Sequence, residues 1–182
     1  ILLTALEKEI LIVLFENKFV TFQITIAPSR PERYQKAMTH SLNNDETGPF
    51  DILRPDDWSS PVIFASPHSG RNYPEAFVEA SCLARLGLRR SEDAFVDEMF
   101  TVAPDYGAPL LRAHFPRVYV DPNREPYELD PKMFDAPLPA HVNTTSPRVA
   151  AGLGTMARVV TSGEEVYSEK LCFEDAEKAI QA

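Results

Sequence analysis

The stretch Pro61-Val62-Ile63-Phe64-Ala65-Ser66 runs directly into Pro67-His68-Ser69-Gly70. A short apolar run without alternation is the pattern of a strand buried on both faces, and the Pro-His-Ser-Gly after it requires a turn. Beyond it, Pro74 suits the first turn of a helix carrying Phe77, Val78, Ser81 and Cys82 on one side, with Gly87 as its stop. Ser91 can cap a second helix, Glu92 to Ala103, whose Phe95, Val96, Met99, Phe100 and Ala103 form an apolar stripe, and Pro104 ends it. Pro109 to Ala113, Arg117 to Val120 and Thr155 to Thr161 read as further strands, separated by a Pro-rich excursion from Pro122 to Pro147. Phe173 to Ala182 opens with acids and continues with Ala, Lys and Gln, the start of a helix. Strands alternating with helices predict an α/β sheet covered by helices.

The chain has 182 residues, 44% hydrophobic and 25% charged, enough for one domain with a real core. Its 27 acidic residues outnumber 18 basic ones, and a net charge of -9 sets nucleic acid and anionic membrane aside as partners. Cys82 and Cys172 are too few for a disulfide framework and show no ligand spacing, which points to a reducing, cytoplasmic compartment. Apolar runs such as Ile10 to Phe15 are too short to span a bilayer. Sixteen prolines against seven glycines imply many rigid connections and argue against a long-helix bundle.

Both ends read differently from the middle. Residues 1–37 balance Lys8, Lys18, Arg30, Arg33 and Lys36 against Glu7, Glu9, Glu16 and Glu32, so the acidity belongs to residues 38–182. Ile1 to Phe15 reads as a short helix, and Val20, Phe22, Ile24 and Ile26 alternate as in a strand. Met38 opens the polar stretch Thr39 to Gly48. Two readings stand: residues 1–37 are upstream sequence read through before a start at Met38, or they are a genuine helix and strand. The domain proper is then residues 38–182. Its last helix stops without Gly, Asn or Pro, as in a truncated chain.

Two loops leaving predicted strands carry the chemistry. His68 just past a buried strand can bind zinc through a neutral ring nitrogen, or can be a loop histidine bonded to backbone. Ser69 lacks a Gly-x-Ser-x-Gly elbow and is not read as a nucleophile. In Arg117-Val-Tyr-Val-Asp121-Pro-Asn123-Arg124, Arg124 offers a planar fork for a carboxylate, with Asn123 as an amide donor beside it. Arg117, four residues before Asp121, can face the same cleft; the alternative is a salt-bridge cluster in a Pro-braced turn. Glu92, Asp93 and Asp97 supply carboxylates near His68, although the helix dipole alone accounts for acids in a first turn. No HExxH, P-loop or GxGxxG is present.

Five segments in order carry a resemblance: SPHSGRNYP (Ser66 to Pro74), LRRSEDAFVDEMF (Leu88 to Phe100), GAPLL (Gly107 to Leu111), FPRVYVDPNREP (Phe115 to Pro126) and ELDPKMF (Glu128 to Phe134). Together they resemble the N-formylglutamate amidohydrolase family over roughly Phe50 to Ala182. The resemblance implies a fold similar to zinc carboxypeptidases, aspartoacylases and phosphorylase-hydrolase proteins: a mixed, mostly parallel sheet between helices, with metal and substrate at strand ends. It implies hydrolysis of N-formyl-L-glutamate to formate and L-glutamate, in histidine degradation, with one zinc ion. Carried onto this sequence, His68 is the first metal ligand and a carboxylate between Ser91 and Asp97, with Asp93 preferred, the next. Asn123 and Arg124 hold the carboxylate of a small anionic N-acyl amino acid, and Arg117 polarises the scissile carbonyl or stabilises its oxyanion. The family's second histidine lies in an Asp-Cys-His-Ser type motif further on, and His40, His114 and His141 do not match it. The catalytic carboxylate is missing for the same reason. The expectation is an incomplete site and an inactive fragment of a hydrolase. The alternatives are a zinc amidohydrolase on another N-acyl amino acid and a non-catalytic carboxylate-binding module.

Overall fold

The computed structural model describes residues 9–15, 18–24 and 48–182. The chain divides into two compact units, Ile1–Ser66 with Phe95–Ala113 and Pro67–Ala94 with His114–Ala182.

In the first unit, strands β1 (Glu9–Phe15) and β2 (Lys18–Ile24) pair antiparallel, Phe15 opposite Lys18 and Glu9 opposite Ile24. The helix expected over Ile1 to Phe15 is therefore not formed over 9–15, where an apolar, β-branched run finds a strand partner instead; residues 1–8 lie outside the described residues. The strand expected at Val20 to Ile26 is present as far as Ile24. Met38, His40 and the polar stretch to Glu46 also lie outside the described residues. A three-stranded sheet completes the unit, with β5 (Leu110–Ala113) between β3 (Phe50–Leu53) and β4 (Phe64–Ser66). β3 runs antiparallel to β5, Asp51 opposite and ion-paired to Arg112, and β4 runs parallel to it. The sheet is mixed, as expected. Mostly parallel it is not: among the described strands only β4 and β5 pair in parallel. Leu110 at its centre is fully buried, and Phe64 packs on Phe100 with ring centroids 5.5 Å apart.

The second unit is built from short helices and turns on two apolar clusters. Phe77, Leu88, Val118, Ala157, Val160 and Val166 form one. Leu129, Met133, Phe134, Val142, Met156 and Ala176 form the other, which Phe173 and Ile180 of α5 (Phe173–Gln181) cover as the helical spacing requires. Helix α1 is Glu75–Ala80 and α2 is Arg85–Leu88. Gly87 lies inside α2 rather than ending α1. The earlier stop comes from Ser81 and Cys82, which turn away to bond Val166: Ser81 Oγ donates to its carbonyl at 2.6 Å and Cys82 N at 3.0 Å. Within the Pro-rich excursion, Asp130 caps a 3-10 turn at Pro131–Met133, and Ser146 caps α4 (Pro147–Ala150). Both cysteines are free and exposed. Among the described residues no helix is long and apolar enough to cross a membrane.

Three expected elements are absent. Glu92 to Ala103 is not one helix; only α3 (Val96–Met99) and a 3-10 turn at Ala103–Tyr106 form. Phe95 takes a left-handed backbone with φ 66°, which breaks helical continuity. Arg117 to Val120 is a turn closed by Tyr119 N on Pro116 O at 2.9 Å, not a strand. Thr155 to Thr161 carries only isolated bridges, because Thr155 N and O are spent on Glu128 and Asp121.

Candidate functional site

The site lies wholly in the second unit, on three loops. The first, 67–74, carries His68. Gly70 lets it approach the loop at 114–115: a Cβ there would meet Phe115 O at 2.1 Å, and Asn72 N bonds His114 O at 2.8 Å. The second, 91–94, carries Glu92 and Asp93. It is laced to the first by Asp93 N on His68 O at 3.0 Å and Ser69 Oγ on Asp93 O at 2.9 Å. The third, 116–124, carries Arg117, Asp121, Asn123 and Arg124. Pro122 presets the turn, and Asp121 closes it by accepting Asn123 N at 3.0 Å on Oδ1 and Arg124 N at 3.1 Å on its carbonyl.

Four side chains close a ring in which His68 and Arg117 alternate with two carboxylates. His68 Nδ1 lies 3.3 Å from Asp93 Oδ2, and His68 Nε2 lies 2.9 Å from Asp121 Oδ1. Arg117 completes it, Nη2 at 3.0 Å from Asp121 Oδ2 and Nη1 at 3.9 Å from Asp93 Oδ1. His68 is 4% exposed, so its ring position is set by these partners rather than by solvent. Arg124 joins from outside, Nη2 at 3.3 Å from the same Asp121 oxygen, with Nε on Leu153 O at 3.0 Å and Nη1 on Asn123 O at 3.2 Å. All three guanidinium nitrogens thus meet protein oxygens, and each terminal nitrogen carries two N–H groups.

Burial by itself works to raise the Asp121 pKa. The hydrogen bond and charge of His68, with Arg117 and Arg124, outweigh it and hold the carboxyl well below the usual carboxylate range. Asp121 therefore stays ionised and fixes the ring through one carboxylate. A cavity of about 380 Å³ adjoins it, lined by Arg117, Asp121 and Arg124 on one side and by Ala151, Leu153 and Val159 among others. That is a small-molecule volume with two cations at its wall.

The residues present can be tested against a metal. Two ligands of a tetrahedral zinc at ~2.0–2.2 Å lie about 3.3 Å apart, and the Nδ1 to Oδ2 separation of His68 and Asp93 matches that edge. The opposite ring nitrogen meets a second carboxylate at hydrogen-bond distance, the arrangement that orients metal-binding histidines. Among the described residues no group of three or more His, Cys, Asp and Glu is placed to hold a metal ion, so this pair offers two donors.

His68, Asp93, Arg117 and Arg124 thus come together. Asn123 joins through its backbone N–H on Asp121. Asp97 is not a member of the ring: it belongs to α3 in the first unit, whereas Asp93 is not helical. Two residues do more than their sequence indicates. Asp121 stands out there only as a neighbour of Arg117, although an Asp opening a Pro-Asn-Arg turn is the available signal. A helix dipole is reason enough for Glu92 in the sequence, yet this residue is 5% exposed and bonded to Tyr73 and Arg89.

The family model for N-formylglutamate amidohydrolase matches residues 60–182. Among solved structures, the crystal structure of N-formylglutamate amidohydrolase from Ralstonia eutropha JMP134 is similar, at 31% sequence identity and a TM-score of 0.63. The match covers 73% of this chain and 46% of that one, so the chain spans less than half the length of this relative. No curated protein matches the chain.

Proposed function

From its membership of the N-formylglutamate amidohydrolase family, to which this chain belongs, we propose that it carries part of a metal site and the carboxylate clamp for hydrolysing the amide of N-formyl-L-glutamate or a similar N-acyl amino acid. The closed ring of His68, Asp93, Asp121 and Arg117 carries this reading. Nothing in a salt-bridge cluster requires a buried histidine held on both nitrogens. The chemistry adds water across the C–N bond: its oxygen goes to the formyl carbon, and a proton goes to the leaving amine. His68 and Asp93 would hold a zinc ion, which would contribute a water of lowered pKa and Lewis acidity toward the carbonyl. Asp121 keeps Nδ1 of His68 turned toward Asp93 by occupying Nε2. Arg124 and Asn123 hold the substrate carboxylate, so that the scissile amide is presented to the ring in one orientation. Arg117 reaches both carboxylates of the ring and lines the cavity, where its charge opposes that of an oxyanion.

Because the chain spans 46% of the solved relative, binding is what we assign to it, and turnover to a domain with further ligands and a carboxylate base. Calorimetric titration tests the assignment. Zinc binding to the 182-residue chain should be lost in His68→Ala, and Arg124→Ala should weaken N-formylglutamate by roughly 10–100-fold. An unchanged affinity in Arg124→Ala removes the clamp, and unchanged zinc binding in His68→Ala removes the metal site. N-acetylglutamate in the same titration tells formyl selectivity from tolerance of larger acyl groups.

A further inference from the structure

We propose that Glu92, which has no direct part in the proposed metal site or clamp, is a positioning residue that sets the His68–Asp93 geometry by anchoring the backbone between them. Its side chain is 2% exposed. Oε1 accepts the Tyr73 hydroxyl at 2.7 Å, and the Arg89 Nε–H is shared between both oxygens at 3.2 and 3.0 Å. Tyr73 stands on the His68 loop, while Arg89 opens the 3-10 turn Arg89–Ser91 that leads into the carboxylates. One buried carboxylate therefore ties the two loops whose facing side chains make the pair.

Local geometry explains how this reaches Asp93. Glu92 has extended backbone, φ -70° and ψ 140°. In extended chain, successive side chains point to opposite sides. With Glu92 fixed toward Tyr73 and Arg89, Asp93 is turned the other way, toward His68. The two backbone links, Asp93 N to His68 O and Ser69 Oγ to Asp93 O, hold the loops at one height. They leave rotation of the segment about its own axis open, and the Glu92 anchor removes that freedom. Without the anchor, Ser91-Glu92-Asp93-Ala94 reverts to the helix start that its residue types favour, and Asp93 leaves the ring. Burial first, then the bond and charge of Glu92, push the Tyr73 phenol far above its ordinary value, so the hydroxyl keeps its proton and stays a donor.

The proposal rests on His68 and Asp93 as the working pair, and its test reads their geometry without a metal. Carbethoxylation of the intact chain by diethyl pyrocarbonate, followed site by site in peptide mass spectra, measures access to each histidine. His68, buried and bonded on both nitrogens, should react slowly. Tyr73→Phe keeps the ring stacked on Phe77 and removes one hydrogen bond; Glu92→Gln removes the charge. Each should raise the His68 rate about tenfold while exposed His141 is unchanged. Leu129→Ala lowers stability through a buried leucine of the other cluster and should leave the His68 rate as it was. A His68 rate unaffected by both Tyr73→Phe and Glu92→Gln, or raised equally by Leu129→Ala, overturns the proposal. Zinc titration of the same variants separates the two readings. Affinity lowered roughly 10–100-fold supports both, whereas absence of zinc binding even in the unaltered chain counts against the metal site alone, the positioning role then being decided by the carbethoxylation rates.

Discussion

The tripeptide Glu-Asp-Ala occurs twice, as Glu92-Asp93-Ala94 and as Glu174-Asp175-Ala176. At the second place it does what its residue types favour: Glu174 and Asp175 open α5, exposed, in the first turn where the helix dipole welcomes acids, and Ala176 faces the core. At the first place the same three residues are not helical at all. Glu92 is buried under Tyr73 and Arg89, and Asp93 lies against His68. A first turn leaves both carboxylates in water; a tyrosine hydroxyl, an arginine and a histidine on neighbouring loops take them out of it. Partner availability, not propensity, separates a helix start from a site.

The largest expected difference between the two places is in stability. Glu92→Ala leaves the half-buried Tyr73 hydroxyl without its acceptor and removes the pair with the exposed Arg89, and should cost about 1–2 kcal/mol in urea denaturation. Glu174→Ala should leave the midpoint where it is. Equal midpoints for the two variants would erase the contrast. A smaller effect appears on acidification. The folded Asp121 carboxyl sits below its ordinary value of 3.8, so below about pH 4 the unfolded chain binds the extra proton and stability falls as pH drops. Above that range the contribution is fully present. Asp121→Asn should flatten this acid limb in a pH series of denaturation midpoints, and a limb of unchanged slope would show that the ring is not what Asp121 stabilises. Smallest is Asp175→Ala, which deletes an exposed pair with Lys178 at 2.9 Å; thermal unfolding should not register it, whereas a clear shift would mean that acids in α5 also have tertiary work.

Several elements were legible because local rules and tertiary contacts agree. Of the apolar run Pro61 to Ser66 only Phe64 to Ser66 is strand, half-buried at the sheet edge rather than covered on both faces. Leu110 to Ala113, by contrast, is a strand, and Phe173 to Gln181 a helix whose buried Ala176 sits between Phe173 and Ile180. The turn at Asp121 follows from Asp-Pro-Asn. Legibility failed where tertiary bonds compete with short-range pattern. Arg117 to Val120 has β-branched residues at strand spacing, yet Val118 is needed in the core and the backbone folds back on Pro116. Glu92 to Ala103 has a complete apolar stripe, yet its first two acids are claimed by other loops.

The sequence alone determined which residue types stand in which loops. His68 in Pro-His-Ser-Gly, Asp93 after a Ser cap, and Arg117, Asp121, Asn123 and Arg124 around one proline were enough to indicate the family and the class of chemistry. Only the tertiary structure decided how they meet: that both nitrogens of His68 are occupied, that Asp121 rather than Asp97 is the second carboxylate, and that Glu92 is buried between two loops. The physical reason is range. Propensities and turn rules act over four or five residues, whereas the bonds that shape this ring join positions 25 and 53 residues apart, and no local pattern encodes which distant partner a buried charge will find.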